Sequence, residues 1–151
     1  VFFILMNSTV FSQLLALSGA SEGMLAFATS FPVGPYVILT IMFLVLLMLG
    51  MFMDPVSMML ITVPIFYPLA QSLGFDLIWF SLIVLIALEM SQTTPPFGLL
   101  LFIMLGMAPR GTTLLQVAGA AAPFLLCDLI LVLLMVAIPE LPLWLPSLME
   151  K

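Results

Sequence analysis

The sequence predicts an all-α integral membrane protein, and three observations carry that prediction. Of 151 residues, 65% are hydrophobic and only 6% are charged, whereas soluble domains run near half apolar and about a quarter charged. The mean hydropathy is +1.42. The charges are placed so that residues 1–21, 23–53, 55–75, 90–109 and 111–127 carry none. A helix crosses the hydrocarbon core with about 20 mostly apolar residues, so several of these stretches have the length to span.

The same composition excludes whole classes of function. Two basic and seven acidic residues give a net charge of -5, and there is no His. This disfavours a nucleic-acid partner, a His-ligated metal centre, an Asp/Glu-rich calcium site and a Ser-His-Asp hydrolase. The single cysteine, Cys127, cannot form an internal disulfide framework or a multi-Cys zinc site. No paired nucleophile and base is visible, so no enzymatic activity is expected. The opening apolar run lacks a basic flank and a small-residue cleavage site and does not read as a signal peptide. With Val1 in place of an initiator Met, the chain is expected to be the C-terminal part of a longer protein.

In chain order, Val1 to about Leu17 has helical composition with a polar stripe of Asn7, Ser8, Thr9, Ser12 and Gln13, the kind of side chain that bonds across to neighbouring helices. Ser18–Gly23 breaks the pattern, and Met24–Phe31 is too short to span before Pro32 and Pro35. Residues 1–35 are therefore expected to be scaffold or arm helices. Tyr36–Met53 is strongly apolar and stops at Asp54-Pro55. Val56–Leu73 begins directly afterwards, with Pro64 and Pro68 inside it. A turn at a membrane surface would carry a few solvated residues, and this one is only Asp-Pro wide. The alternative is a re-entrant hairpin over 36–73 with its tip at membrane depth.

Gly74-Phe75-Asp76 is a turn signal. Leu77 to about Ser91 is helical in composition and is interrupted by Thr93-Thr94-Pro95-Pro96-Phe97-Gly98, after which Leu99–Met107 resumes. Two prolines remove two backbone donors, and the residue before a proline is pushed out of the helical region. Residues 74–109 thus read as a broken transmembrane helix. Leu114–Ile138 reads as a last full span, and Pro139-Glu140 opens a Pro-rich tail to Lys151, completing the unit 110–151.

Two places can carry chemistry. An acid in the bilayer costs roughly 2.5–3.5 kcal/mol on insertion scales, which makes Asp54 a site candidate. Asp before Pro is also a good helix cap, and both roles can hold together. At the Thr93–Gly98 break, hydroxyls and unwound carbonyls offer the oxygen ligands that hard cations prefer, with no fixed charge. Carriers build midplane sites from discontinuous helices of this kind. Glu89, four residues before Thr93, falls on nearly the same helix face and is a further candidate. Asp128, deep in the last span, reads as a bundle-facing acid.

The order of Gly50-Met51-Phe52-Met53-Asp54, Pro64-Ile65-Phe66-Tyr67-Pro68, Leu73-Gly74-Phe75-Asp76 and Thr94-Pro95-Pro96-Phe97-Gly98 with Leu101-Phe102 resembles the C-terminal part of the large membrane subunit of TRAP (tripartite ATP-independent periplasmic) transporters. The resemblance covers about Leu49 to Pro146; residues 1–48 fit by hydropathy. It implies a multi-pass protein of the bacterial inner (cytoplasmic) membrane that takes up a small organic acid, of the carboxylate class, by sodium symport. The implied partners are the upstream half of the large subunit, a small membrane subunit and a periplasmic substrate-binding protein. The implied fold has two inverted repeats moving as an elevator, with this chain as the second repeat. Family sodium sites lie near hairpin tips and broken helices. That carries substrate or ion binding onto Gly50, Asp54, Thr93, Thr94, Pro95 and Gly98, with Na+ as coupling ion at Thr93, Thr94 and Asp54.

The sequence departs from the family pattern at Ser81, where Gly is expected after Phe80, and at Glu89-Met90-Ser91, where a neutral, Gly-containing stretch is common. With the hairpin open to the periplasm, Arg110 falls in a cytoplasmic turn, in line with the positive-inside rule. Two rival readings share the same physics. One is another ion-coupled carrier of the superfamily that works without a binding protein. The other is a non-transporting membrane anchor, which predicts continuous spans at 36–73 and no water access at residue 54.

Overall fold

The computed structural model describes residues 34–149, together with Met6, Asn7, Val10, Gln13, Leu14, Gly19 and Gly23. The expectations for residues 1–33 and for the last two residues lie outside the described residues. All regular structure among the described residues is helical: α1 Pro35–Gly50, α2 Pro55–Ser72, α3 Leu77–Thr93, α4 Leu99–Met107, α5 Leu114–Ala137 and α6 Glu140–Met149.

Each boundary has a local cause. Pro35 and Pro55 occupy first-turn positions, where the missing N–H has no intrahelical partner to lose. Asp54 caps α2 by accepting from Ser57 N at 2.9 Å. Asp76 caps α3 by accepting from Ile78 N and Trp79 N at 2.8 and 3.0 Å. Between them, Gly74 sits at φ +82°. Phe75 N reaches Ala70 O at 3.1 Å and Gly74 N reaches Gln71 O at 3.0 Å, the pair of bonds that closes a helix on a left-handed residue. Thr113 and Gln116 cap each other's backbone at the start of α5.

Helix α3 is the hub and touches all five other helices. Helix α1 lays Ile38, Met42, Leu46 and Gly50 inward at four-residue spacing, and α2 does the same with Met58, Thr62, Phe66 and Ala70. Against them α3 buries Phe80, Val84, Ala87, Leu88 and Ser91. Burial of Thr62 is made tolerable by its hydroxyl donating to Met58 O at 2.8 Å. On the far side, Trp79 Nε1 donates to Met135 O at 2.8 Å. Pro139, four residues beyond Met135, has no N–H to return to that carbonyl, and the indole supplies one.

Two outcomes differ from the sequence pattern. Helix α1 ends at Gly50 rather than Met53. The residue before Pro55 is held extended, at φ -70° and ψ 154°, and Phe52 N and Met53 N both turn back onto Leu49 O. The Pro-rich tail contains α6, with Pro142 in its first turn, where proline is tolerated, and Pro146 inside the helix. Among the described residues, α5 is the one helix long and apolar enough to cross a membrane, at 24 residues, while α1 and α3 are shorter apolar helices. Pro95 and Pro96 divide the uncharged stretch 90–109 between α3 and α4, whereas Pro64 and Pro68 lie within α2 and Pro123 within α5 without ending them.

Candidate functional site

The two interruptions, 51–54 and 94–98, lie far apart in sequence and meet in space. Ile38, Met42 and Leu46 hold α1 along α3, so the end of α1 arrives at the end of α3. There Gly50 packs on Ser91: a methyl group at Gly50 would collide with Ser91 Oγ and come within 2.5 Å of Ser91 Cβ. Two residues on, the Phe52 ring lies on Phe97, centroids 5.2 Å apart. The hairpin tip therefore touches the break through Phe52 and Phe97, and the helix ends that lead into them meet at Gly50 and Ser91.

The break itself is built from main-chain oxygens. Pro95 and Pro96 carry no N–H with which to return the bonds owed to Ser91 O and Gln92 O. Thr94 N partly replaces the first, reaching Ser91 O at 3.4 Å, and Gly98 N bonds Thr94 O at 3.1 Å. Gly98 lies so close beneath these groups that a Cβ there would strike Gln92 O and come within 2.9 Å of Thr94 O. Glycine is thus required at 98 for space, since its φ of -52° suits any residue. The hydroxyls of Thr93 and Thr94 donate to Met90 O at 3.1 and 2.6 Å. With their protons engaged there, both hydroxyl oxygens keep lone pairs as acceptors.

Of the candidate residues, Gly50 and Gly98 are buried, Thr93 and Thr94 are half-buried, and Pro95, Asp54 and Glu89 are exposed. The structure joins Thr93, Thr94, Pro95 and Gly98 in one turn and brings Gly50 to its edge. Asp54 is tied to this group through the tip rather than by a bond to either threonine: its carboxylate accepts from Ser57 N, and the threonine protons go to Met90. Thr93 Oγ1 also lies 3.5 Å from Glu89 O, so Glu89 bears on the break through its main chain. No group of three or more His, Cys, Asp and Glu side chains converges among the described residues. The oxygens gathered at the break are hydroxyls and main-chain carbonyls, the ligand type that hard cations prefer.

Three contributors were not legible in sequence. Ser91 was read only as a departure from a family pattern, Gln92 contributes a carbonyl rather than a side chain, and the Phe52–Phe97 pair spans the two breaks. The other departure, Ser81, bonds the Tyr67 hydroxyl and so ties α2 to α3.

Among the described residues the fold is helical and apolar, with two of its helix interruptions meeting in space, an arrangement consistent with an integral membrane protein. The sequence matches the Tripartite ATP-independent periplasmic transporter, DctM component, over residues 1–141, and the chain belongs to that family. It is 34% identical over 148 residues to the C4-dicarboxylate TRAP transporter large permease protein DctM of Pseudomonas aeruginosa, covering 96% of this chain and 34% of that protein. It is 30% identical over 148 residues to the sialic acid TRAP transporter large permease protein SiaM of Vibrio cholerae, again 96% of this chain and 34% of that protein. A putative dicarboxylate transporter subunit of Paracoccus pantotrophus is 30% identical over 149 residues, 98% of this chain and 69% of that protein. The chain spans about a third of the length of the DctM and SiaM relatives, both of them named as transporter permeases.

Proposed function

We propose that this chain is the second repeat of the transport unit of a TRAP permease that takes up a small organic acid, of the carboxylate class, by sodium symport. The observation that carries the reading is the meeting of the hairpin tip and the double-proline break at Phe52–Phe97, with the helix ends leading into them in contact at Gly50–Ser91. Interrupted backbone in a hydrocarbon slab needs its freed carbonyls satisfied from within. Na+ binding among Thr93, Thr94 and the carbonyls around Gly98, with Asp54 at the tip, supplies that and orders the hairpin for substrate. The loaded unit then moves across the bilayer as an elevator.

In this reading α1 and α2 form the re-entrant hairpin, and α3 with α4 forms the broken helix. Helix α5 carries the chain back across the inner membrane. A periplasmic binding protein delivers the substrate, and the upstream repeat and small membrane subunit complete the site. The substrates in the relatives' names, C4-dicarboxylate and sialic acid, are both organic acids and support the class.

The test is uptake of labelled organic acids into proteoliposomes holding the full complex, with sodium and binding protein added separately. Uptake that needs both is expected. Uptake indifferent to sodium overturns the coupling, and uptake without the binding protein favours a carrier of the simpler kind.

A further inference from the structure

Ser91 is 1% exposed, and its hydroxyl donates to Leu88 O at 2.7 Å. That bond fixes the rotamer and leaves both Oγ and Cβ against the last residue of α1. A Cβ at Gly50 would meet Ser91 Oγ, then Ser91 Cβ at 2.5 Å, then Met58 Sδ at 3.0 Å. The first two are held by a helix and a hydrogen bond, while the sulfur belongs to a flexible side chain that can give way. The spacing between the end of α1 and the end of α3 is therefore set by Ser91. Immediately beyond Gly50 the chain enters the tip with Phe52 and Asp54. Immediately beyond Ser91 it enters the break with Gln92, Thr93 and Thr94.

We propose that Ser91 is a positioning residue for the cation site: through Gly50 it sets how deeply the hairpin tip seats on the double-proline break. The Phe52–Phe97 contact is the second point of the same seat and reports on it. This inference rests on the sodium reading for its effect on ion affinity, but not for its effect on seating.

The geometry dictates an ordered rescue. Gly50→Ala meets both Ser91 atoms. Gly50→Ala with Ser91→Ala removes Oγ and keeps the Cβ clash. Gly50→Ala with Ser91→Gly leaves only the sulfur. The full complex in proteoliposomes, with Cys127 and any other native cysteine replaced, is assayed for the sodium concentration that half-saturates uptake. Seating is read separately as disulfide cross-linking of a Phe52→Cys, Phe97→Cys pair.

Expected half-saturation rises at least tenfold for Gly50→Ala, by about half that factor for the alanine double variant, and returns to within threefold for the glycine double variant. Maximal rate changes less than the half-saturation, and cross-linking efficiency follows the same order. If Gly50→Ala alone does not assemble, the two double variants carry the comparison. A glycine double variant no better than the alanine one overturns the proposal, as does a Gly50→Ala complex indistinguishable from wild type. Uptake indifferent to sodium counts against the coupling reading alone, because the cross-linking order still decides the seating.

Discussion

Gly98→Ala tests the break most directly, because its effect follows from space alone. At φ -52° and ψ 120° an alanine backbone is comfortable, so the substitution adds no conformational penalty. The added methyl would strike Gln92 O, lie 2.8 Å from Gln92 C and lie 2.9 Å from Thr94 O. All three are main chain, so relief requires the turn to open rather than a side chain to rotate. Forcing a methyl into a packed site costs typically about 1–3 kcal/mol. With a factor of ten for each 1.4 kcal/mol, that is roughly a 5- to 150-fold weaker site if the cost falls on the ion-bound arrangement. Gly106 and Gly119 are the matched controls, since a Cβ at either meets nothing within 4 Å. Alanine in those helix interiors is expected to stabilise by about 0.5–1 kcal/mol. The assay is the sodium dependence of uptake by the reconstituted complex, paired with its thermal unfolding with and without sodium. Three alanine variants with the same sodium half-saturation would refute the close approach at Gly98 as a determinant of the site.

Asp54→Asn and Asp54→Ala separate the two roles of that residue. Asn caps about as well as Asp, whereas Ala forfeits about 0.5–2 kcal/mol, so only Ala should lower the unfolding temperature while both lose sodium-dependent uptake. Wild-type uptake by Asp54→Asn would reduce the carboxylate to a cap. Combined Thr93→Val and Thr94→Val should raise the sodium half-saturation at least tenfold, with the matching serine pair staying near wild type; equal effects in the two pairs would show that the hydroxyls are not ligands. Trp79→Phe removes the donor to Met135 O, which Pro139 cannot replace. A loss of about 1–3 kcal/mol of stability, with sodium half-saturation unmoved, is the expected result in unfolding and uptake assays.

The parts of the fold written in local chemistry were readable. Asp54-Pro55 marks one interruption and Thr94-Pro95-Pro96 the other, because proline removes a donor and constrains its predecessor wherever it occurs. Gly74 before Asp76 marks a turn for equally local reasons. What the sequence withheld is the phase of each helix. Ile38, Met42, Leu46 and Gly50 face the bundle while Ile41, Leu44, Val45 and Met48 are exposed, and the two sets are equally apolar. A helix that is hydrophobic all round gives no inward face to read. The Gly50–Ser91 contact depends on that hidden phase in both α1 and α3, as do the Phe52–Phe97 pair and the Trp79–Met135 bond. The Gly50 stop was also obscured, since Met51-Phe52-Met53 is as apolar as the helix before it.

The hidden phase also explains why the two interruptions share one place. Each leaves main-chain groups without helical partners, a cost that hydrocarbon does not relieve. Placed apart, they would each need their own polar surroundings. Placed together, the hydroxyls of Thr93 and Thr94 and the carbonyls around Gly98 lie in one turn, against which the tip residue Phe52 packs through Phe97. A single cation and its few waters can then serve both. Alignment of α1 on α3 through the buried residues 38, 42 and 46 brings the two helix ends together. In the proposed mechanism an ion that orders the break would also set the tip, through the Gly50–Ser91 and Phe52–Phe97 contacts.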